Sequence, residues 1–423
     1  MTGAALGSAV LRGGASPNEK FVIGAIGVGG RGRIVLDRFA ALKGVEVAAV
    51  CDVDAANIAR SLDVVARHQP KRPATFTDFR RLLEDKSIDV VLVATPDHWH
   101  AIPTIFACQA GKHVYVEKPA SHNVLEGQAM IRAARRYKRV VQLGVPSRSS
   151  RHLAEACDFI RSGGIGQVRL ARGWDVAWQG SIGHPADAPA PAGVDYDLWL
   201  GPAPLRPFNP RRFHGSWRWF FDYGTGDLGN DGVHRLDYAR RGLEAGLAFS
   251  GKKLPEWPLS VNAIGGKHFF DDDQEWPDNM LVTWEYPEAI LMYELRTWSR
   301  PSFAGRGEGA AIYGEDGTVF IYNETWQAVA ADGQVIRAGA EKLPLYDSRH
   351  NQNLLDCIRD GKTPAGDIAL GHVMSSLVLM GNVSWRVNRR LRIDAATQHF
   401  VDDADANRHL GRTYRKPWSL PAV

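Results

Sequence analysis

The first third of the chain alternates short, almost continuously apolar runs with amphipathic stretches. Residues 21–32 open on an apolar strand, Phe-Val-Ile-Gly-Ala-Ile, and Val45–Val50 reads as a second. Ile88–Ala94 (Ile-Asp-Val-Val-Leu-Val-Ala) is nearly unbroken, as expected of a parallel strand buried on both faces. His113–Val116 and Val140–Gly144 are shorter runs of the same kind. Between them, Ile34–Leu42, Ile102–Ala110 and Asn123–Tyr137 place apolar residues at helical spacing. Repeated strand–helix units predict a doubly wound parallel sheet, an α/β Rossmann domain with ligands at the carboxyl ends of its strands.

After about residue 147 the pattern changes. A helix over Arg151–Ser162 leads into alternating, aromatic-rich runs: Val168–Val176, Ser260–Lys267, Asn279–Tyr286, Leu291–Thr297, Ala311–Gly314 and Thr318–Tyr322. Such runs, separated by turn residues, predict an antiparallel sheet. Two further helices are expected, one from Gly226 through His234 and Asp237 to Gly242, the other over Arg349–Asp360. The second stops at Gly361, with Thr363-Pro364 beyond it. The Pro/Ala/Gly-rich stretch 183–194 reads as a surface loop. Twelve of the thirteen Trp lie in this half, where most are expected to pack the sheet or an oligomer surface.

A chain of 423 residues exceeds what one core usually holds, so two domains are expected, over 21–147 and 148–423. Residues 1–20 read either as a plain arm or as the remnant of a twin-arginine export signal. Thr2–Ser16 is small and apolar with only Arg12 charged, but it lacks a basic start and is too short to span a membrane. The compartment is accordingly cytoplasmic, or periplasmic if that remnant is real. No other apolar run approaches eighteen residues, so no membrane span is expected. The net charge of +4 is slight and dispersed, which argues against nucleic acid as a partner. Cys51, Cys108, Cys157 and Cys357 contain no Cys-x-x-Cys pair, which argues against structural zinc and a disulfide framework. Each is expected to fill a buried site as a small apolar residue.

Chemistry enters at Gly27-Val28-Gly29-Gly30-Arg31-Gly32, directly after the first strand. In a Gly-x-Gly-x-x-Gly turn the first glycine allows the tight bend and the second lets backbone approach a pyrophosphate. The third lets helix pack on strand. The following helix points its first amides at the phosphates. Asp52 ends the next strand, twenty residues beyond Gly32, where a carboxylate accepts from the hydroxyls of an adenine ribose. Strand, glycines, helix, strand and acid at this spacing predict dinucleotide binding. Asp52-Val53-Asp54 offers no cation to a 2′-phosphate, so NAD is favoured over NADP, although Arg31 and Arg33 keep NADP open.

Two other strands end in functional-looking segments, Thr95-Pro96-Asp97-His98-Trp99-His100 and Glu117-Lys118-Pro119. A lysine at a strand end is an odd structural choice, because desolvating an ammonium is costly. Beside a nicotinamide it can bind a substrate hydroxyl and stabilise the developing alkoxide. On the helix beginning near Gly226, Asp227, Asn230 or Asp231, and His234 share a face. With an unperturbed pKa near ~6.5, His234 can take the hydroxyl proton.

With these segments and Gly226-Asp227-Leu228-Gly229-Asn230-Asp231-Gly232-Val233-His234, the chain resembles the Gfo/Idh/MocA family of glucose–fructose oxidoreductases, inositol dehydrogenases and rhizopine-catabolism proteins. The resemblance runs from about residue 21 almost to the C-terminus. It implies a catalytic Lys118 followed by a cis peptide at Pro119, with Thr95, Pro96, His100 and Glu117 lining the cofactor cleft. It also implies an α+β second domain built on an open-faced, mainly antiparallel sheet that makes homodimers or homotetramers. In many members the residue four before the histidine is an Asp. Here it is Asn230, so a Lys–Asp–His trio is replaced by one in which Asn230 hydrogen-bonds the substrate.

Weaker candidates complete the picture. His98 belongs to the expected cofactor cleft, and Gln142 can reach the nicotinamide carboxamide. Arg148, Arg218, Trp219, Asp231 and His350 are candidates to face substrate. Asp97-His98-x-His100 lacks further ligands at metal spacing, so no metal is expected. Arg240-Arg241 and Arg389-Arg390 read as solvated helix charges. The expected activity is oxidation of a secondary alcohol of a sugar, glycoside or cyclic polyol by hydride transfer to NAD. The alternative is a redox-neutral glycosidase that oxidises, eliminates, hydrates and re-reduces on bound NAD. A scaffold without turnover is disfavoured by the joint presence of Lys118 and His234.

Overall fold

Residues 20–176, 178–300 and 302–423 are described by the computed structural model, so all but the last residue of the expected N-terminal arm lies outside the described residues. The N-terminal half runs β1 (Phe21–Ile26), α1 (Gly30–Ala40), β2 (Val45–Cys51), α2 (Ala55–Val65), β3 (Ala74–Phe76) and α3 (Phe79–Leu83). It continues β4 (Val90–Val93), α4 (Ala101–Gln109), β5 (His113–Glu117), α5 (Val124–Arg136) and β6 (Val141–Gly144). The six strands pair in parallel in the order β3-β2-β1-β4-β5-β6. Every residue of β4 is buried, which is why its apolar run is unbroken. The order reverses between β1 and β4, and the crevice outside that switch point is where such a sheet binds its ligand. α1 begins at Gly30 rather than Ile34, because Gly29 already caps it and the intervening arginines hide the apolar period.

The remainder contains α6 (Arg151–Arg161), β7 (Val168–Asp175), α7 (Tyr196–Leu200), α8 (Gly226–Asn230), α9 (Gly232–Phe249), β8 (Ser260–Gly266), β9 (Asn279–Tyr286) and β10 (Ala289–Arg296). Then follow β11 (Glu308–Gly314), β12 (Gly317–Ile321), β13 (Thr325–Ala330), β14 (Val335–Ala340), α10 (Leu343–Asp360), α11 (Ile368–Val387), β15 (Leu391–Asp394), β16 (His399–Phe400) and α12 (Ala404–Asn407). Ten strands form one sheet, β14-β13-β12-β11-β7-β10-β9-β8-β15-β16. Only β7 and β10 pair in parallel. Strict alternation of buried and exposed residues along β9 marks one covered and one open face. The open face leaves Ile264, Leu281 and Ile290 exposed.

Several elements depart from the sequence expectation. The helix expected over 226–242 is broken: α8 ends at Asn230, Asp231 forms the joint, and α9 runs on to Phe249. α10 starts at Leu343, with a proline in its first turn. β14 is almost wholly exposed and so carried no alternation to read. α11 was not anticipated, because it is apolar on nearly every side. By length and composition it is long and apolar enough to cross a membrane, yet 83% of its most apolar window is buried inside the protein. Arg240 is buried rather than solvated, donating to the carbonyls of Pro255 and Glu256. The chain also returns to the first sheet: Leu354 and Leu355 of α10 share a core with Phe39 and Tyr115. All four cysteines are buried and free.

Candidate active site

The glycine turn has the shape its sequence demands. Gly27 has φ +79°, and a Cβ there would lie 2.7 Å from the backbone at Ala94 and Thr95. A Cβ on Gly32 would stand 1.9 Å from the Gly27 carbonyl, so the third glycine is what lets α1 sit on β1. The side chain of Gly29 being absent, no side-chain group caps α1, whose first N–H groups face the crevice. The Asp52 carboxylate accepts from the Val28 N–H (2.8 Å), the Asp54 N–H (3.0 Å) and Asn57 Nδ2 (3.3 Å), and burial raises its pKa. A cleft of about 600 Å³ connects Asp52 with Thr95, Glu117 and Lys118. Open glycine backbone with a fixed carboxylate bonded beside it fits the phosphate and ribose parts of a dinucleotide.

At the opposite end of the cleft, Lys118 precedes a cis peptide to Pro119, as the family resemblance implies. Its Nζ donates to the backbone oxygen of Asn230 (2.7 Å) and to Asn230 Oδ1 (2.8 Å), joining the two lobes. Glu117 is held beside it by Arg31, whose Nε donates to Oε1 at 2.9 Å. Arg31 also reaches Asp347 of α10, as does Arg38. The half-buried His234 stands one turn beyond Asn230 and makes no side-chain hydrogen bond among the described residues. Burial, and then the Lys118 ammonium, drive its pKa well below the usual histidine value, which favours the neutral ring. Asn230 Nδ2 faces Asp231 (3.0 Å) and Asp227 (3.3 Å). Burial, with the neighbouring Asp231 charge, pushes Asp227 well above the usual carboxylate range.

Other candidates stand elsewhere than expected. His98 is buried with Nε2 3.0 Å from the Trp199 carbonyl and Nδ1 3.3 Å from the Tyr223 carbonyl; burial pushes its pKa down to about 3, so the neutral ring donates to one of the two. It anchors the second lobe instead of facing cofactor. His100 bridges the carbonyls of Thr95 (2.9 Å) and Pro119 (2.6 Å), so it shapes the cleft from behind. Gln142 is fully buried and donates to the His350 carbonyl (2.9 Å), because β6 turns that side chain under α10 and not into the cleft. His350 in turn bonds Ser149 Oγ and the Leu143 carbonyl, both at 2.8 Å, and is equally sealed. Arg148 is spent on Asp237. Trp219 packs in an aromatic cluster with Trp199, Phe213 and Tyr223, while its neighbours Trp217 and Arg218 line the cleft.

The segment that sequence reasoning missed lies over the Asp52 end. Gly193 accepts from the Ala55 N–H (3.0 Å), Asp195 donates to the Val53 carbonyl (2.9 Å), and His214 Nε2 lies 2.8 Å from Asp54. His214, Gly215 and Trp217 thereby roof the cleft from the second lobe. The density of aromatics between Tyr196 and Tyr223 was the available signal, but it pointed only to packing.

Glycine turn, switch-point crevice and a strand-end lysine bonded to a helix of the second lobe define an NAD-binding oxidoreductase architecture. Residues 21–145 match the family described as "Oxidoreductase family, NAD-binding Rossmann fold" (GFO_IDH_MocA). Residues 167–244 and 307–420 match that family's C-terminal alpha/beta domain, and the chain belongs to this family. Among solved structures it is similar to aldose-aldose oxidoreductase from Caulobacter crescentus complexed with glycerol. That likeness has TM-score 0.66 at 21% identity and covers 89% of this chain and all of the other. It is similar also to levoglucosan dehydrogenase in complex with NADH and levoglucosan, with TM-score 0.66 at 19% identity over 88% of this chain and 99% of the other. A curated relative, the alpha-N-acetylgalactosaminidase of Shewanella oneidensis, is 31% identical over 150 residues, 34% of this chain. The match spans only a third of that relative's length.

Proposed function

We propose that the protein oxidises a secondary alcohol of a sugar, glycoside or cyclic polyol, with NAD as the hydride acceptor. One observation carries the reading: the Lys118 ammonium of the first lobe is bonded to Asn230 of the second, one turn before His234, whose ring it reaches electrostatically. NAD, when bound, supplies the hydride-accepting ring. Gly27, Gly29, Gly30 and Gly32 would carry its pyrophosphate, Asp52 its adenine ribose, and Thr95, Pro96 and Glu117 would border the ring. Lys118 donates to the substrate oxygen and stabilises the charge that develops there. His234 removes the hydroxyl proton. Asn230, already bonded to Lys118, fixes the direction of the ammonium and hydrogen-bonds the substrate, with Asp231 at the rim. Names of similar proteins, oxidoreductases acting on aldoses and levoglucosan, support the carbohydrate class.

A second reading has its own support. The likeness to an alpha-N-acetylgalactosaminidase, together with His214, Gly215 and Trp217 reaching over the Asp52 end of the cleft, favours redox-neutral glycoside cleavage on retained NAD. One experiment separates them. NADH formation is followed at 340 nm with a panel of free sugars and cyclitols, alongside aglycone release from aryl glycosides without an added acceptor. Stoichiometric NADH supports the first reading; aglycone release without NADH replaces it with the second; neither, with every probe tried, removes both. We also propose that the open face bearing Ile264, Leu281 and Ile290 pairs copies of the chain into homodimers or homotetramers.

A further inference from the structure

Three carboxylates meet behind Asn230. Asp175 ends β7, Asp227 lies in α8, and Asp231 forms the joint before α9; one ligand atom of each lies within 4.8 Å of the others. Asp175 and Asp227 are buried and Asp231 is half-buried. Among the described residues, neither Asp227 nor Asp231 forms an ion pair. Lys118 is held by Asn230, Arg235 by Glu308 and Arg172 by Glu294, while Lys118 and Arg218 act on Asp227 without forming an ion pair with it. Like charges so close and so poorly hydrated need a cation or a proton between them.

Tyr293 supplies an independent sign of a missing ligand. Its side chain is fully buried and its hydroxyl has no hydrogen-bond partner. The ring sits beside Gly173 in the β7–β10 register, on the face that also carries Asp175. A Cβ on Gly232 would stand 3.4 Å from Tyr293 Cζ, so the hydroxyl end of the ring lies at the first turn of α9, next to Asp231. All three carboxylates act on it electrostatically. A phenol in this position ordinarily donates to a carboxylate, and this one donates to none. Asp227 Oδ2 is likewise buried without a partner.

We propose that Asp175, Asp227, Asp231 and Tyr293 bind a divalent cation of calcium size. Carboxylate and phenol oxygens are hard ligands, suited to calcium, magnesium or manganese. Four oxygen ligands supplied by the protein itself suit calcium, since magnesium keeps several of its waters and is seldom held in an all-protein cage. The ion offsets two of the three carboxylate charges and locks the α8–α9 joint that carries Asn230, the acceptor of Lys118. Water completes the shell on the half-exposed side at Asp231.

The proposal rests on no step of the reaction proposed above, and its test reads separately. The full chain is stripped with EDTA, exchanged into chelator-free buffer and titrated with CaCl2 by calorimetry. Thermal unfolding is followed with and without calcium, and NAD binding is measured on the same samples by fluorescence. One equivalent of calcium per chain and a rise in Tm with calcium are expected. Asp175→Asn should abolish both, and Tyr293→Phe, which keeps the packing, should weaken calcium binding several-fold while NAD binding stays. No uptake and no Tm shift in the wild type up to about 10 mM calcium overturns the site, leaving protons to separate the carboxylates. Equal calcium binding by wild type and Asp175→Asn also overturns it.

Discussion

Lys118 Nζ is bonded to both oxygens of Asn230, backbone at 2.7 Å and side chain at 2.8 Å, and this pair is a direct polar tie between the lobes at the reacting corner. A lysine tied to a neutral amide keeps its full charge available to a third oxygen, whereas a carboxylate partner would already have neutralised it.

Removal of that ammonium should cost catalysis and spare cofactor binding. Lys118→Ala is expected to lower kcat/KM by about 10²–10³, the cost of losing one preorganised donor to a developing oxyanion. NAD affinity, measured by fluorescence titration, should stay within a few-fold. Full turnover in this variant would remove Lys118 from the mechanism.

His234→Ala should lower kcat by about 10²–10⁴, the span of a general base. Because the imidazole makes no structural hydrogen bond among the described residues, its loss should leave Tm within a degree or two. A large Tm drop would assign the residue to the core.

Two neighbouring glycines should behave oppositely. Gly32→Ala places a Cβ 1.9 Å from the Gly27 carbonyl, which forces α1 off β1, so both stability and NAD affinity should fall. Gly30→Ala meets nothing within 4 Å and opens α1, so the apo protein should be unchanged or more stable by up to about 1 kcal/mol. Chemical denaturation of both variants without NAD checks the contrast.

The roof predicts slow cofactor exchange. His214→Ala removes the 2.8 Å contact with Asp54 and should speed NAD release several-fold, read by stopped-flow displacement. The effect is modest because the His214 side chain is 43% exposed and an exposed pair contributes about 1 kcal/mol at most.

Buried histidines set an acid limit on stability. Burial holds His98 at about 3 and His350 at about 4, whereas unfolded histidine titrates near ~6.5. Below ~6.5 the unfolded chain therefore binds protons that the native chain refuses. The stability is fully present above that pH and is lost as pH falls toward the folded values, by up to about 1.4 kcal/mol per pH unit for each histidine. His350→Gln should flatten urea-denaturation stability between pH 6.5 and 4; an unchanged slope would contradict its burial in neutral form.

Much of the first sheet was legible residue by residue. Val90–Val93 had to be a buried strand, and Gly27 and Gly32 had to be glycines, for reasons confined to a few neighbouring positions. Lys118 stood out because a strand-end ammonium has no cheap structural role. His98, Gln142 and Trp219 were misread because what a side chain faces depends on a packing partner remote in sequence. The carbonyls of Trp199 and Tyr223 capture His98, and α10 covers Gln142.

By itself the sequence determined local conformation: which stretches are apolar enough to be strands, where glycine is obligatory, and that an acid follows the second strand. Those properties are set by short-range sterics and by burial averaged over a few residues. Only the tertiary structure decided that residues 193–217 roof the cleft, that Lys118 meets Asn230, and that Asp175, Asp227, Asp231 and Tyr293 converge. Such meetings join segments far apart in the chain, and their geometry is decided by how helices and sheets pack, which no local pattern encodes.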